Sequence, residues 1–196
     1  LIPDHPDSQI AEGLKQGSSD AFRTLFVALG PGILAYLTRL TGRKEMAEEL
    51  TQDTFLTALR KISFFRAGPK SNDGGLKAWV FRIATHLAID VIRREKKVAL
   101  PALAMGDDDS FEPAQAAFST SSDDPEVAFG RFEFSQALNA ALLELAPAQR
   151  MIFLLREQEE LSLLEISRVC GCNENAVKQS LFRARTALKK RLGGMP

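Results

Sequence analysis

EISRVCGCNENAVKQSLFRAR, residues 165–185, is the stretch whose reading decides the fold: two helix-like segments meet at Cys170, Gly171 and Cys172, and basic residues follow. A helix-turn-helix needs a short first helix, a tight turn that commonly holds Gly, and a second helix whose outer face is polar and basic. Ser162 is placed to cap the first helix, which then runs to Cys170; Gly171 is placed to turn left-handed after it, and Asn173 to cap the next helix. On that second helix Val177, Leu181, Ala184 and Leu188 recur at helical spacing as one buried stripe, leaving Lys178, Gln179, Phe182, Arg183, Arg185 and Lys189 on the opposite face. In this frame Cys170 closes the apolar face after Ile166, Cys172 points into the junction, and both act as small hydrophobes. A structural zinc site takes four ligands, C-x-C supplies two, and the only histidines, His5 and His86, lie in other segments. No metal or cofactor is expected. A redox-sensitive thiol pair is the alternative.

The charges are segregated around this element. The formal net charge is zero, yet residues 1–19 carry −2, residues 20–97 carry +6, residues 98–130 carry −7 with no base, and residues 131–196 carry +3. Two basic blocks on either side of an acidic stretch fit two polyanion-binding modules joined by a repelling linker. Residues 98–130 mix Ser, Ala, Asp and Pro without periodicity and read as an extended or disordered linker. Two cysteines one residue apart build no disulfide framework. With no apolar run near the roughly 18 residues of a membrane span and no basic-then-apolar leader, no membrane insertion is expected and the expected compartment is the cytoplasm. The first residue, Leu1, is expected to lie inside a longer native chain.

Residues 20–97 carry helical periodicity: Phe22, Leu25, Phe26, Leu29, Ile33, Leu34, Leu37 and Leu40 recur at three- and four-residue intervals. GPG at 30–32 is expected to kink or break this helix, and TGRKE at 41–45 to end it. A second helix follows in 45–62, with Met46, Leu50, Leu59 and Ile62 near one face and Glu48, Glu49, Gln52 and Asp53 largely on the other. Residues 63–75 read as a loop with two aromatics at its entrance. Residues 76–97 resume helix, with Trp79, Ile83 and Leu87 on one stripe. Beyond the linker, helices return from 131: one ending before Ala146-Pro147, one opening with Pro147 in its first turn, and one leading into Cys170. No strand pattern is present, so the fold class is all-α, in two modules.

Taken in order, AEELTQDTFLTALRKI, GGLKAWVFRIATHLAIDVIRREKK and the long stretch from LLELAPAQR to ALKKRL resemble regions 2.2, 2.3–2.4 and 4 of the extracytoplasmic-function (ECF) sigma factors, a group of the bacterial sigma-70 family. The resemblance covers 20–97 and 131–192. It implies a non-enzymatic, cytoplasmic bacterial protein that binds core RNA polymerase, directs it to promoters and helps open the duplex. By that resemblance Glu48, Glu49, Gln52, Asp53 and Phe55 dock on the coiled coil of the polymerase's largest subunit. Phe64, Phe65, Arg66 and Asn72 form a pocket for a flipped base of the single-stranded −10 element, with Arg82, His86, Asp90, Arg93 and Arg94 along the strand's path. Trp79 reads as core. Lys178, Gln179, Phe182 and Arg183 reach base edges of the double-stranded −35 element, and Arg185, Lys189 and Lys190 its phosphates. His86 stands where the family often has Asn, and Ser180 where many relatives have Arg. The resemblance also implies an anti-sigma partner, often membrane-bound. The rival reading, an autonomous helix-turn-helix regulator, predicts a dimer helix that the sequence does not display and leaves 45–97 unexplained.

Overall fold

Helix follows helix along the whole of the described chain, and no strand occurs there. The computed structural model describes residues 7–66, 75–96 and 125–193. The elements are α1 (Asp7–Lys15), α2 (Ser19–Thr41), α3 (Lys44–Lys61), a 3₁₀ turn (Ile62–Phe64), α4 (Leu76–Lys96), α5 (Pro125–Leu143), α6 (Pro147–Glu157), α7 (Leu163–Cys170) and α8 (Glu174–Leu192). Helices α1–α4 pack on one another as a first module, and α5–α8 as a second.

The first module departs from the sequence reading in two places. Residues 1–19 were expected to be an extension leading into the first helix; α1 forms there instead and buries Ile10, Ala11 and Leu14. Its Asp7 carboxylate accepts the Leu76 N–H at 2.6 Å, capping α4 from a distant part of the chain. Gly30-Pro31-Gly32 was expected to kink or break α2; the break does not occur, and α2 is continuous for 23 residues. Pro31 is exposed, as is Val27, whose carbonyl loses its partner at the proline, so that side of the helix meets water. The other side is locked by Leu25, Leu29, Ile33, Tyr36, Leu37 and Leu40, each 5% exposed or less. Burying six such side chains outweighs the roughly 3 kcal/mol that an interior proline costs. Gly42 ends α2 in the left-handed conformation, φ 75°. By length and composition α2 could cross a membrane, but here its apolar stripe belongs to the bundle's core.

In the second module the chain's own start and stop signals operate as read. Ser162 accepts the Glu165 N–H while the Glu165 side chain accepts the Ser162 N–H, a reciprocal capping box at α7. Gly171 is left-handed at φ 67°, and Asn173 accepts the Ala176 N–H at 2.7 Å to cap α8. Val177, Leu181, Ala184 and Leu188 are buried. Helix α5 begins at Pro125, six residues inside the stretch read as linker; the rest of that stretch, 98–124, lies outside the described residues.

The two modules do not stand apart. Helix α4 packs on α7, and α2 on α5 and α6, over one continuous apolar cluster. Polar contacts pin this seam. The Arg150 guanidinium, on a residue 5% exposed, donates to the carbonyls of Leu40 at 2.7 Å, Leu143 at 2.9 Å and Leu145 at 3.2 Å. Lys77 on α4 donates to the Glu159 carbonyl at 2.7 Å and meets its buried carboxylate at 3.3 Å. Arg39 donates to Gln158, which donates to Glu159 at 2.8 Å. Gly32 makes room here, since a Cβ at that position would lie 3.2 Å from the Glu159 carboxylate.

Arg150→Ala is expected to destabilise the chain by about 3 kcal/mol or more, because it strands carbonyls in the interior. Arg150→Lys should recover only part of this, since one ammonium lacks the forked donors that span two helix ends. Urea denaturation followed by circular dichroism measures both.

Candidate nucleic-acid interface

Three surfaces follow from this packing. The first lies on α3, where Glu48, Glu49, Gln52 and Asp53 are all exposed; Lys44 sits 3.8 Å from Glu48 across one helical turn. Phe55, expected to join them at the surface, is 3% exposed instead. Its ring is packed edge-on to Phe22 at 6.2 Å and against Phe26 at 4.9 Å, so it supports the surface from beneath. The apolar groups that do reach solvent are Phe26, Val27, Leu56 and Leu59. Leu59 was expected inside with Leu50 and Ile62; Ala58 and Phe55 take the inner positions. Of these four only Val27 and Leu56 fall outside the apolar stripes that spacing draws, so the sequence signals this group only in part.

The second surface is on α4. Arg82, His86, Asp90 and Arg93 follow one another at spacings of four, four and three and so form a single stripe, with Arg94 beside it. Trp79 and Ile83 face the core, as expected. Phe64 is exposed at the entrance of the preceding loop, and Arg66 is also exposed. Phe65 is not: it is 1% exposed and packs on Trp79 with ring centroids 5.3 Å apart, which removes it as a stacking surface in this conformation. Asn72 lies outside the described residues. The His86 imidazole is held below its ordinary value of 6.5, first by partial burial, then by the positive charge of Arg82, with Lys61 and Arg93 adding to it and Asp90 opposing. Lys61, at the end of α3, thus joins the stripe across a helix boundary that sequence spacing does not reveal.

The third surface is on α8. Lys178, Phe182, Arg183, Lys189 and Lys190 are exposed, and Gln179 is half-buried beside them. Arg185 is held back: its guanidinium pairs with Glu157 of α6, through Nε at 3.2 Å and through Nη2 more closely. Arg191, which the sequence reading passed over, pairs with Glu144 at 2.6 Å. Cys170 and Cys172 are partly buried and packed against the core. Among the described residues no group of three or more His, Cys, Asp or Glu side chains is arranged to hold a metal ion.

Two family models match the chain. Residues 25–98 match Sigma-70 region 2 and residues 135–188 match Sigma-70, region 4. The chain is 31% identical over 173 residues to the RNA polymerase sigma factor YlaC of Bacillus subtilis, covering 88% of this chain and 92% of that one. It is 30% identical over 180 residues to the ECF RNA polymerase sigma factor SigW of the same organism, covering 91% and 92%. This chain is an ECF sigma factor of the sigma-70 family. Such factors are non-enzymatic initiators of transcription. Among solved structures, the sigma factor RpoE in complex with the anti-sigma factor NepR from Bartonella quintana aligns at a TM-score of 0.63 and 26% identity, over 89% of this sigma factor and 98% of that chain.

The α4 stripe makes a pH prediction. Since folding lowers the His86 value, the unfolded chain takes up this proton first, and stability falls as pH drops from about 6.5 toward the lowered value while staying flat above it. In NMR titration His86 is expected to have its midpoint below 6.5, and Asp90→Asn to move it lower still.

Proposed function

We propose that this sigma factor binds core RNA polymerase through α3 and its neighbours, engages the single-stranded −10 element along α4, and reads the −35 duplex with α8. The observation that carries this is the presence in one chain of two differently built cationic faces. The α4 stripe mixes Arg, His and Asp behind an exposed Phe64, which suits an unpaired strand with a base to stack. The α8 face presents Lys178, Gln179 and Arg183 near the start and middle of a capped recognition helix, which suits base edges in the major groove. Lys189 and Lys190 then fall on phosphates. Arg185 joins them only by exchanging its Glu157 partner for phosphate.

The α3 surface supports a protein partner. Along α3 the carboxylates of Glu48, Glu49 and Asp53 run on to the exposed apolar side chains of Leu56 and Leu59, an apolar group with an acidic rim. The acidic rim complements a basic coiled coil, as expected of the polymerase's largest subunit. An anti-sigma protein, often membrane-bound, is a second proposed partner, supported by the RpoE–NepR complex. The cytoplasm is the compartment in which all of these meet.

Run-off transcription from a promoter library with purified bacterial core polymerase tests the reading. New start sites that share two spaced motifs are expected only when the sigma factor is added. Folded protein that neither binds a matched core enzyme nor creates starts would overturn these roles for the three surfaces. Arg183→Ala is expected to weaken −35-dependent binding about 5- to 100-fold and to relax preference at one base position. Leu56→Asp is expected to lower core affinity tenfold or more, leaving thermal stability near that of the parent because Leu56 is already exposed.

A further inference from the structure

The helix-turn-helix turn contains two thiols that promoter reading does not use. Cys170 is the last residue of α7, Gly171 follows at φ 67° and ψ 35°, and Cys172 stands immediately before Asn173, the cap of α8. The Gly171 and Cys172 N–H groups both donate to the Ser167 carbonyl, the latter at 3.0 Å, which folds the chain back on itself. The two side chains thus flank one turn, a single residue apart, with a hydrogen bond between their thiols. The two sulfurs differ. That hydrogen bond lowers the Cys172 thiol, and the N-terminus of α8 adds partial positive charge beside it. The same hydrogen bond, and after it burial, push the Cys170 thiol up. A Cβ on Gly171 would meet nothing within 4 Å, so the space beside the turn is open to a small reactant.

Cys170 also lies at the seam. Helix α7 packs on α4, and Cys170 joins the apolar cluster that spans both modules. Tyr36, fully buried, shares a 2.9 Å hydrogen bond with Thr85 of α4; burial raises its phenol most, the Thr85 bond opposes, and Cys170 and Glu159 add smaller upward contributions.

We propose that Cys170 and Cys172 form a reversible dithiol–disulfide site, oxidised by a hydroperoxide and restored by a small dithiol, and that closing it withdraws the Cys170 sulfur from the seam between α4 and α7. The Cys172 thiolate attacks the outer oxygen of the hydroperoxide. An S–O bond forms, the O–O bond breaks, and the alkoxide leaves and is protonated to the alcohol, so that Cys172 becomes a sulfenic acid. The Cys170 sulfur then attacks the Cys172 sulfur. The S–S bond forms, the S–O bond breaks, and hydroxide departs as water with the Cys170 proton. Two thiols lose two electrons in all, and the peroxide gains them. The two cysteines flank one hydrogen-bonded turn, so rotation about the two Cα–Cβ bonds is the main movement required.

The test uses the full reduced chain treated with tert-butyl hydroperoxide, alkylated, and analysed by mass spectrometry of the peptide that holds both cysteines. The expected product has two hydrogens fewer, no alkyl label, and reverts with dithiothreitol. Cys170→Ser should accumulate a dimedone-trapped sulfenic acid at Cys172, and Cys172→Ser should leave Cys170 reacting at least tenfold more slowly. Separate sulfinic or sulfonic acids, bridges between chains, or Cys170 as the faster thiol would overturn the site. For the seam, amide hydrogen exchange in α4 around Thr85 and in α7 should quicken in the bridged wild-type protein. Unchanged exchange there in fully bridged protein would overturn the link to module packing.

Discussion

Arg150 is the contact on which the arrangement turns. Among the described residues its buried guanidinium has no carboxylate as a hydrogen-bond partner; it donates to carbonyls at the ends of α2 and α5. Backbone carbonyls at a helix C-terminus carry partial negative charge and lack partners within their own helix, so one cation answers two needs at once. Burial pulls the guanidinium's pKa down, yet an arginine remains charged in such a site. The result is geometric: the end of α2, the end of α5 and the first turns of α6 are held at one point. Helix α6 packs on α8, so the direction in which α8 presents Lys178 and Arg183 depends on that point.

The seam carries a second constraint of the same kind. Glu159 is 6% exposed and would be costly to bury alone. Lys77 and Gln158 satisfy it, and Gly32 leaves it space. Helix α4 therefore contributes to both functions of the chain: one face carries Arg82, His86 and Arg93, and another packs on α7 and holds the loop before it through Lys77. Several charges that composition alone would assign to partners are used inside the protein. Arg185 faces Glu157, Arg191 faces Glu144 and Lys77 faces Glu159. A pair as exposed as Arg191–Glu144 adds little stability, but such pairs set which cations stand ready for phosphate and which must first exchange a carboxylate.

Buried aromatics show how far side-chain chemistry can be read without packing. Phe55 and Phe65 have the composition of contact residues, and each follows a polar or exposed neighbour in sequence. Phe55 nonetheless sits under Phe22 and Phe26, and Phe65 sits against Trp79. Phe64, one residue earlier than Phe65, is 74% exposed. At the edge of a 3₁₀ turn one residue of register moves a side chain from solvent to core, and periodicity is too short there to fix the register.

By itself the sequence determined what local rules govern: the all-α class, the Ser162, Gly171 and Asn173 signals of the helix-turn-helix, the buried stripe of α8 and the polar stripe of α4. Each of these depends on residues within one or two helical turns, where capping geometry and the 3.6-residue period act directly. Tertiary structure alone decided the continuity of α2 through Pro31, the formation of α1, the inward turn of Phe55 and Phe65, and the docking of one module on the other. These rest on contacts such as Asp7 with Leu76 and Arg150 with Leu40, whose partners lie far apart along the chain. Burial at that range depends on which surfaces meet, and no local pattern encodes the meeting.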